Sequence, residues 1–193
     1  MNFEYSEEQL AFKNTVHDYA VEVLAPRAVE IDKNNEFPVE TIKELAKYDL
    51  MGIAYPEELG GVGADGVCEA IVVEEITYGC AATASILTGH YLGFDALYLR
   101  GNDEQKRKYL TPALKGEKLA AFCLTEPDSG SDAGASRTSA VRDGDYYILN
   151  GTKHFITNAA HADFMVVFAM TDRSKKTRGM TSFVVEKDTP GMT

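Results

Sequence analysis

Two short stretches hold the residue types best suited to chemistry: Phe122-Cys-Leu-Thr-Glu-Pro-Asp-Ser-Gly-Ser-Asp132 and Phe155-Ile-Thr-Asn158. The first runs from a strand-like apolar entry through a Thr-Glu-Pro break into a Gly/Ser loop with free backbone N–H groups. The second is a short apolar segment ending at Thr157. Strand alternation aims side chains at a ring face, and small residues let backbone donors approach oxygens closely. Together they suit a flat, polar-edged heterocycle with a phosphate tail. A Gly/Ser turn after a strand is by itself commonly only a turn; the pairing of two such segments strengthens the chemical reading.

Other titratable residues read more plainly. Glu126 lies within the motif and suits ordering of its own turn. Glu74 and Glu75 invite a catalytic or metal role, but a solvated or N–H-capping pair accounts for them more simply. His90 reads as a satisfied core histidine rather than a catalyst. Cys68, Cys80 and Cys123 are odd in number and widely spaced, which fits neither a disulfide framework nor a zinc site. Buried inert thiols and a reducing cytosol follow.

The elements that must position these residues change character along the chain. Tyr5-Ser-Glu-Glu-Gln-Leu10 contains a capping box (Ser6 with Gln9) and staple positions (Tyr5 with Leu10). Phe12, Val16, Tyr19, Ala20, Val23 and Leu24 form a helical stripe that Pro26 is expected to disturb. A second helix is expected from Pro38, as first helical residue, to near Gly52. The Gly-rich run Tyr55–Gly66 reads as a loop, its glycines too irregular for a dinucleotide fingerprint. Helical pattern resumes at Val67. Cys80 to Leu99 is apolar or small on nearly every side, as in a buried helix. Its small residues, Ala81 to Gly93, suit either a tight crossing or a wall of an acyl-chain slot. Asp103 is expected to cap a helix over Glu104–Leu114, whose basic run reads as a solvated face.

After Gly116 the pattern becomes short β-branched and aromatic runs split by turns. Strands are expected over Leu119–Thr125, Thr138–Arg142, Tyr146–Leu149, Asp163–Met170 and Met180–Glu186. Asp143-Gly144 marks a hairpin. Asn150-Gly151 turns into the apolar segment Lys153–Thr157, and the polar stretch Thr171–Gly179 carries Arg173, Lys175, Lys176 and Arg178. The expected class is α+β: an all-α helical domain over residues 1–118, then an antiparallel β-barrel over 119–193, incomplete at its C-terminal end.

The formal net charge of −11 over 193 residues argues against nucleic acid and against an anionic membrane surface. No apolar stretch reaches the roughly 18 residues of a membrane span. The N-terminus shows no basic region or apolar signal core.

These residues resemble the acyl-CoA dehydrogenase family along the whole chain. The anchors are Tyr55-Pro-Glu-Glu-Leu-Gly-Gly, Glu74-Glu75-Ile76, Gly101–Leu110, Leu124–Asp132, Leu149–Asn158 and Val185–Gly191. Several motifs in the right order are more specific than any one of them. The resemblance implies an N-terminal helical domain, a middle β-barrel and a C-terminal helical bundle, with only the first two corresponding to this chain. It implies FAD as cofactor, with Phe122, Leu124 and Thr125 along the flavin and Thr125 at its pyrimidine edge. Gly130 and Ser131 would serve the ribityl and phosphate side, and Ser131 also the CoA arm of the substrate. Phe155, where many relatives carry Trp, would cover the ring with Ile156 beside it, and Thr157 would donate toward its redox-active edge. The implied reaction is α,β-dehydrogenation of an acyl-CoA to the 2-enoyl-CoA in fatty acid metabolism; a short or medium straight-chain acyl group is expected, with branched or aromatic groups the alternative. Electrons would pass to an electron-transferring flavoprotein. The catalytic base is expected in the absent bundle, so no catalytic residue and no metal are assigned here. These residues alone are expected to bind FAD poorly and to be inactive. A homotetramer or dimer is implied for the full-length enzyme, in the bacterial cytoplasm by preference or otherwise the mitochondrial matrix. The alternatives are an acyl-CoA oxidase or flavin monooxygenase of the same fold, or a non-catalytic two-domain binding relative.

Overall fold

The computed structural model of the chain describes residues 4–193. The reading of the N-terminus as lacking a signal core falls partly on residues 1–3, outside the described residues. Helices come first and strands after, the order that the patterning requires.

Helix α1 (Glu7–Tyr19) begins at the predicted capping box: the Gln9 N–H donates to Ser6 Oγ at 3.1 Å, and the Ser6 N–H donates to Gln9 Oε1 at 3.0 Å. The staple partners Tyr5 and Leu10 both stay exposed. Pro26 does not end the helical run. A π turn (Ala20–Leu24) precedes it and α2 (Ala25–Asn34) continues. Proline offers no N–H, and at the first turn of α2 none is required of it. Helix α3 (Val39–Lys47) buries Ile42 and Leu45. Pro38 is its N-cap rather than its first residue. It ends before Gly52, where Asp49 turns left-handed at φ 57°.

Asp65 caps α4 (Gly66–Gly79) by accepting from the Cys68 N–H at 2.8 Å. Glu75 on α4 is not solvated: it is 4% exposed and accepts from Lys13 and His17 of α1, while Glu74 takes the same lysine at 2.8 Å from the surface. Two helices crossing face to face bury one carboxylate and supply its partners, a pairing that local spacing cannot show. Helix α5 (Ala81–Arg100) is the buried centre, with Thr83, Leu87, His90, Phe94 and Leu97 inside. The next helical turn is capped by Asn102 rather than Asp103, through a second capping box with Gln105. It runs through α6 (Asp103–Gln105), a π turn (Lys106–Leu110) and α7 (Thr111–Leu114).

The strands are β1 (Ala120–Cys123), β2 (Ser139–Asp143), β3 (Tyr146–Asn150), β4 (Phe164–Met170) and β5 (Met180–Glu186). The hairpins β2–β3 and β4–β5 are antiparallel as expected, but β1 pairs with β4 in parallel, Ala120 opposite Phe164. The sheet is therefore mixed. Forty residues separate β1 from β4 (124–163), enough chain to return in the same direction, which a tight hairpin cannot do. Lys153–Thr157, expected as an apolar segment of the β region, forms no strand.

Helices and sheet share one core. Leu45, Leu87, Phe94 and Leu110 of the helical part cluster with Ala120, Phe164 and Val166 of the sheet. A smaller cluster of Ala121, Cys123, Ala162 and Met165 lies on the other face of β1 and β4. Alternation along β1 thus ties one face to the helices and leaves the other to the sheet's own interior.

Candidate functional site

The two motif stretches meet where β1 ends. The His154 N–H donates to the Thr125 carbonyl at 2.8 Å, and Lys153 Nζ donates to the Leu124 carbonyl at 2.9 Å. Lys153 also reaches Glu126 Oε1 at 2.8 Å, both side chains being almost buried. Glu126 further accepts from the Ser136 hydroxyl, from the Arg137 N–H at 2.6 Å and from the Thr138 N–H at 3.0 Å. Burial alone would raise its pKa, but the lysine and these donors outweigh burial and hold the carboxyl well below the usual range. Glu126 therefore does more than order its own turn: it clamps β1's exit, the start of β2 and the 153–158 segment together.

The turn after Glu126 is closed by paired backbone bonds between Glu126 and Ser129, and the Ser129 hydroxyl donates to the Asp132 carbonyl at 2.7 Å. Gly130 and Ser131 stand exposed beyond it. A Cβ at Gly130 would meet nothing within 4 Å, so packing does not require glycine there.

The 153–158 segment is held by helix α5. Asn158 is 6% exposed, and its Nδ2 donates to the carbonyls of Ile86 at 2.9 Å and Ala120 at 3.2 Å. Gly89 allows the close approach: a Cβ there would lie 2.8 Å from Thr157 Cγ2. Gly93 does the same for β1, where a Cβ would lie 2.8 Å from Ala120 Cβ. Of the two readings of α5's small residues, tight packing accounts for these two glycines. Phe37 stacks on His161 at 3.9 Å and secures the segment's far end. Phe155 sits at φ 57°, is 84% exposed, and lies over the His154 ring at 4.1 Å. A bulky residue on the left-handed side is a true outlier, of a kind concentrated at ligand sites.

His90 is the satisfied core residue that its apolar setting suggests. Fully buried, it is assigned as donating from Nε2 to the Ala113 carbonyl at 3.0 Å and accepting at Nδ1 from the Ala120 N–H at 3.0 Å. Burial pushes its pKa down to about 4, against a smaller upward pull from the Ala113 carbonyl.

Phe122, Leu124, Thr125 and Ile156 are half-buried, while Gly130, Ser131, Phe155 and Thr157 are exposed. Phe122 packs against Phe168 at 5.0 Å between ring centres. The residues form an open face rather than an enclosed cavity. Of them, only Ile156 lines a large cleft, one of about 570 Å³ between the 153–159 segment and β4–β5. Sequence reasoning missed Lys153 and Asn158 as positioning residues. A lysine entering an otherwise apolar segment, with a glutamate in the other motif stretch, was the available signal for the first. Among the described residues, no group of three or more His, Cys, Asp or Glu side chains could hold a metal, and no helix is long and apolar enough to cross a membrane.

Family models described as acyl-CoA dehydrogenase, N-terminal domain, and acyl-CoA dehydrogenase, middle domain, match residues 6–117 and 121–193. A short-chain specific acyl-CoA dehydrogenase of Clostridium acetobutylicum is 44% identical over 99% of this chain and 51% of its own length. A chain from the structure of the electron transferring flavoprotein of Acidaminococcus fermentans superposes with TM-score 0.94 at 41% identity, covering 99% of this chain and 50% of that one. An acyl-CoA dehydrogenase complexed with FAD from Bacillus anthracis superposes with TM-score 0.88 at 36% identity, covering 98% of this chain and 32% of that one. The chain spans about half the length of the curated relatives it matches.

Proposed function

The chain belongs to the acyl-CoA dehydrogenase family, and from that premise we propose that it carries the cofactor-facing residues of an FAD-dependent enzyme. The proposed reaction is α,β-dehydrogenation of an acyl-CoA thioester to the 2-enoyl-CoA, with electrons passed to an electron-transferring flavoprotein. The observation that carries this reading is a contact: the His154 N–H on the Thr125 carbonyl at 2.8 Å sets the two motif stretches side by side.

The donor set fits the cofactor. Among the described residues the hydroxyls of Thr125 and Thr157 and the N–H groups of Gly130 and Ser131 make no hydrogen bond, while Glu126, Lys153 and Asn158 around them are engaged. Thr125 and Thr157 each follow an apolar residue, Leu124 and Ile156, a combination suited to a planar ring with acceptor atoms at its edge. FAD, when bound, supplies the two-electron acceptor. Thr125 and Thr157 are assigned as donors to its polar edge, Phe122, Leu124 and Ile156 to packing against the ring, and Phe155 to covering it. Gly130 and Ser131 are assigned to its ribityl and phosphate side, and Ser131 also to the CoA arm. Donors held in place before binding need no reorganisation when charge develops opposite them. The proton-abstracting base is not assigned to Glu126 or Glu75, because a lysine already neutralises each.

The short-chain name of the Clostridium relative supports a short acyl group. Oligomerisation as a dimer or tetramer, a place in fatty acid metabolism and a cytoplasmic setting complete the proposal. Titration with FAD, followed by quenching of flavin fluorescence, tests it. Saturable binding is expected with Kd above about 1 μM, weakened at least about tenfold by the double substitution Thr125→Val and Thr157→Val. No binding at millimolar FAD would overturn the reading.

A further inference from the structure

His154 has so far had a role through its backbone alone, yet its side chain holds an unusual place. Successive residues of an extended segment point to opposite sides. Phe155, at φ 57°, leaves that pattern, and its ring lies over the His154 imidazole. The ring centres are 4.1 Å apart and the two planes are inclined by only 23°. The left-handed turn at Phe155 thus accompanies a stack between sequence neighbours that regular strand geometry would keep apart.

Little else holds the Phe155 side chain. The residue is 84% exposed, and among the described residues His154 is its one ring partner. The His154 imidazole is exposed as well and, among the described residues, makes no hydrogen bond or ion pair. The backbone on either side is fixed, by the His154 N–H on the Thr125 carbonyl at 2.8 Å and by Asn158 Nδ2 on the Ile86 carbonyl at 2.9 Å. Between these anchors Phe155 occupies a backbone region that bulky residues disfavour, and the ring stack offsets part of that cost. One face of the Phe155 ring is covered by His154, and its exposure leaves the other to solvent.

We propose that His154 is a positioning residue for the cofactor: its imidazole holds the Phe155 ring in the orientation that covers the flavin. The inference rests on the assignment of Phe155 to that cover. A flat heterocycle arriving on the free face of Phe155 completes a three-layer stack of imidazole, phenyl and isoalloxazine. His154 touches no part of the cofactor in this arrangement and acts through Phe155 alone. Aromatic rings attract one another when stacked with an offset at such spacings. A cover oriented before binding also loses less freedom when the ligand arrives than a loose one does.

The test titrates FAD into the parent chain and into His154→Ala, His154→Gln and His154→Phe, with the visible circular dichroism of the bound flavin as a second readout. All three substitutions keep the backbone N–H that bonds the Thr125 carbonyl, so only the ring is tested. His154→Ala and His154→Gln are expected to weaken FAD binding about fivefold and to change the flavin dichroism band. His154→Phe, which keeps a flat ring, is expected to retain the parent's affinity and band. Melting temperatures should agree within about 2 °C, because both rings are exposed. Unchanged affinity and dichroism in His154→Ala would overturn the proposal, as would a His154→Phe chain that binds FAD as weakly as His154→Ala. A melting temperature that falls in step with the affinity would overturn it too, marking the imidazole as part of the fold only. FAD bound alike by the parent and every variant defeats this inference alone; a parent that takes up no FAD defeats the functional reading, and this inference with it.

Discussion

Four donors converge on Glu126, a carboxylate only 6% exposed: Lys153, the Ser136 hydroxyl and the N–H groups of Arg137 and Thr138. Removing the cation leaves a buried charge unanswered, which costs roughly 3–5 kcal/mol. Lys153→Met is expected to lower unfolding free energy by about that amount in urea titrations, and adding Glu126→Gln should restore a good part of it. His90 adds a pH dependence. Its folded pKa of about 4 lies below the unfolded value of about 6.5, so the unfolded chain binds the extra proton first. The stability from neutral His90 is present in full above pH of about 6.5 and is lost as pH falls toward 4, by on the order of 3 kcal/mol. Denaturation at pH 7.5 and 4.5 should show the loss, and His90→Gln should flatten it. Glu126 extends the same direction of change to lower pH: its depressed carboxyl withholds a proton that the unfolded chain accepts once pH drops below the ordinary glutamate range. At this scale the sequence was a fair guide to His90, whose helix-face neighbours Ile86, Leu87, Gly93 and Phe94 carry no polar side chain. It could not show the partners of Glu75 and Glu126, which come from residues 58 to 62 and 10 to 27 positions away in the chain.

At the scale of elements, helix α5 sets the distance between the helical part and the 153–158 segment. Gly89→Ala places a methyl only 2.8 Å from Thr157 Cγ2. The 155–158 segment must shift or the helix retreat, and FAD affinity is expected to fall at least about tenfold while the far-UV circular dichroism stays the same. An unchanged affinity would mean that the segment gives way without disturbing the face. The first capping box and the hairpin turn were legible because they depend on residues a few positions apart, as with Ser6 and Gln9 or the Asp143-Gly144 turn. The continuation of helix past Pro26 was not, since a π turn is chosen by the packing around it. Nor was the irregular path of 151–158, where Phe155 adopts a conformation its own preference opposes.

For the whole molecule, the shared core predicts a single cooperative transition. Phe94 is fully buried, with its ring edge-on to Tyr55 at 5.0 Å and to His90 at 4.9 Å. Phe94→Ala is expected to cost about 3–5 kcal/mol. Helical dichroism and tyrosine fluorescence should lose their midpoints together, because the cluster joins helices to Phe164 and Val166 of the sheet. Two separated transitions would show that the helical and β parts melt independently. The order of helices and strands and the family were set by the amino-acid sequence alone, because short-range periodicity and motif spacing are local properties of the chain. The parallel return of β4 beside β1, the lysine that answers Glu126 and the glycine that admits Thr157 were decided only in three dimensions. Each joins residues far apart along the chain, and such contacts form only where burial of the whole core outweighs the entropy of bringing them together.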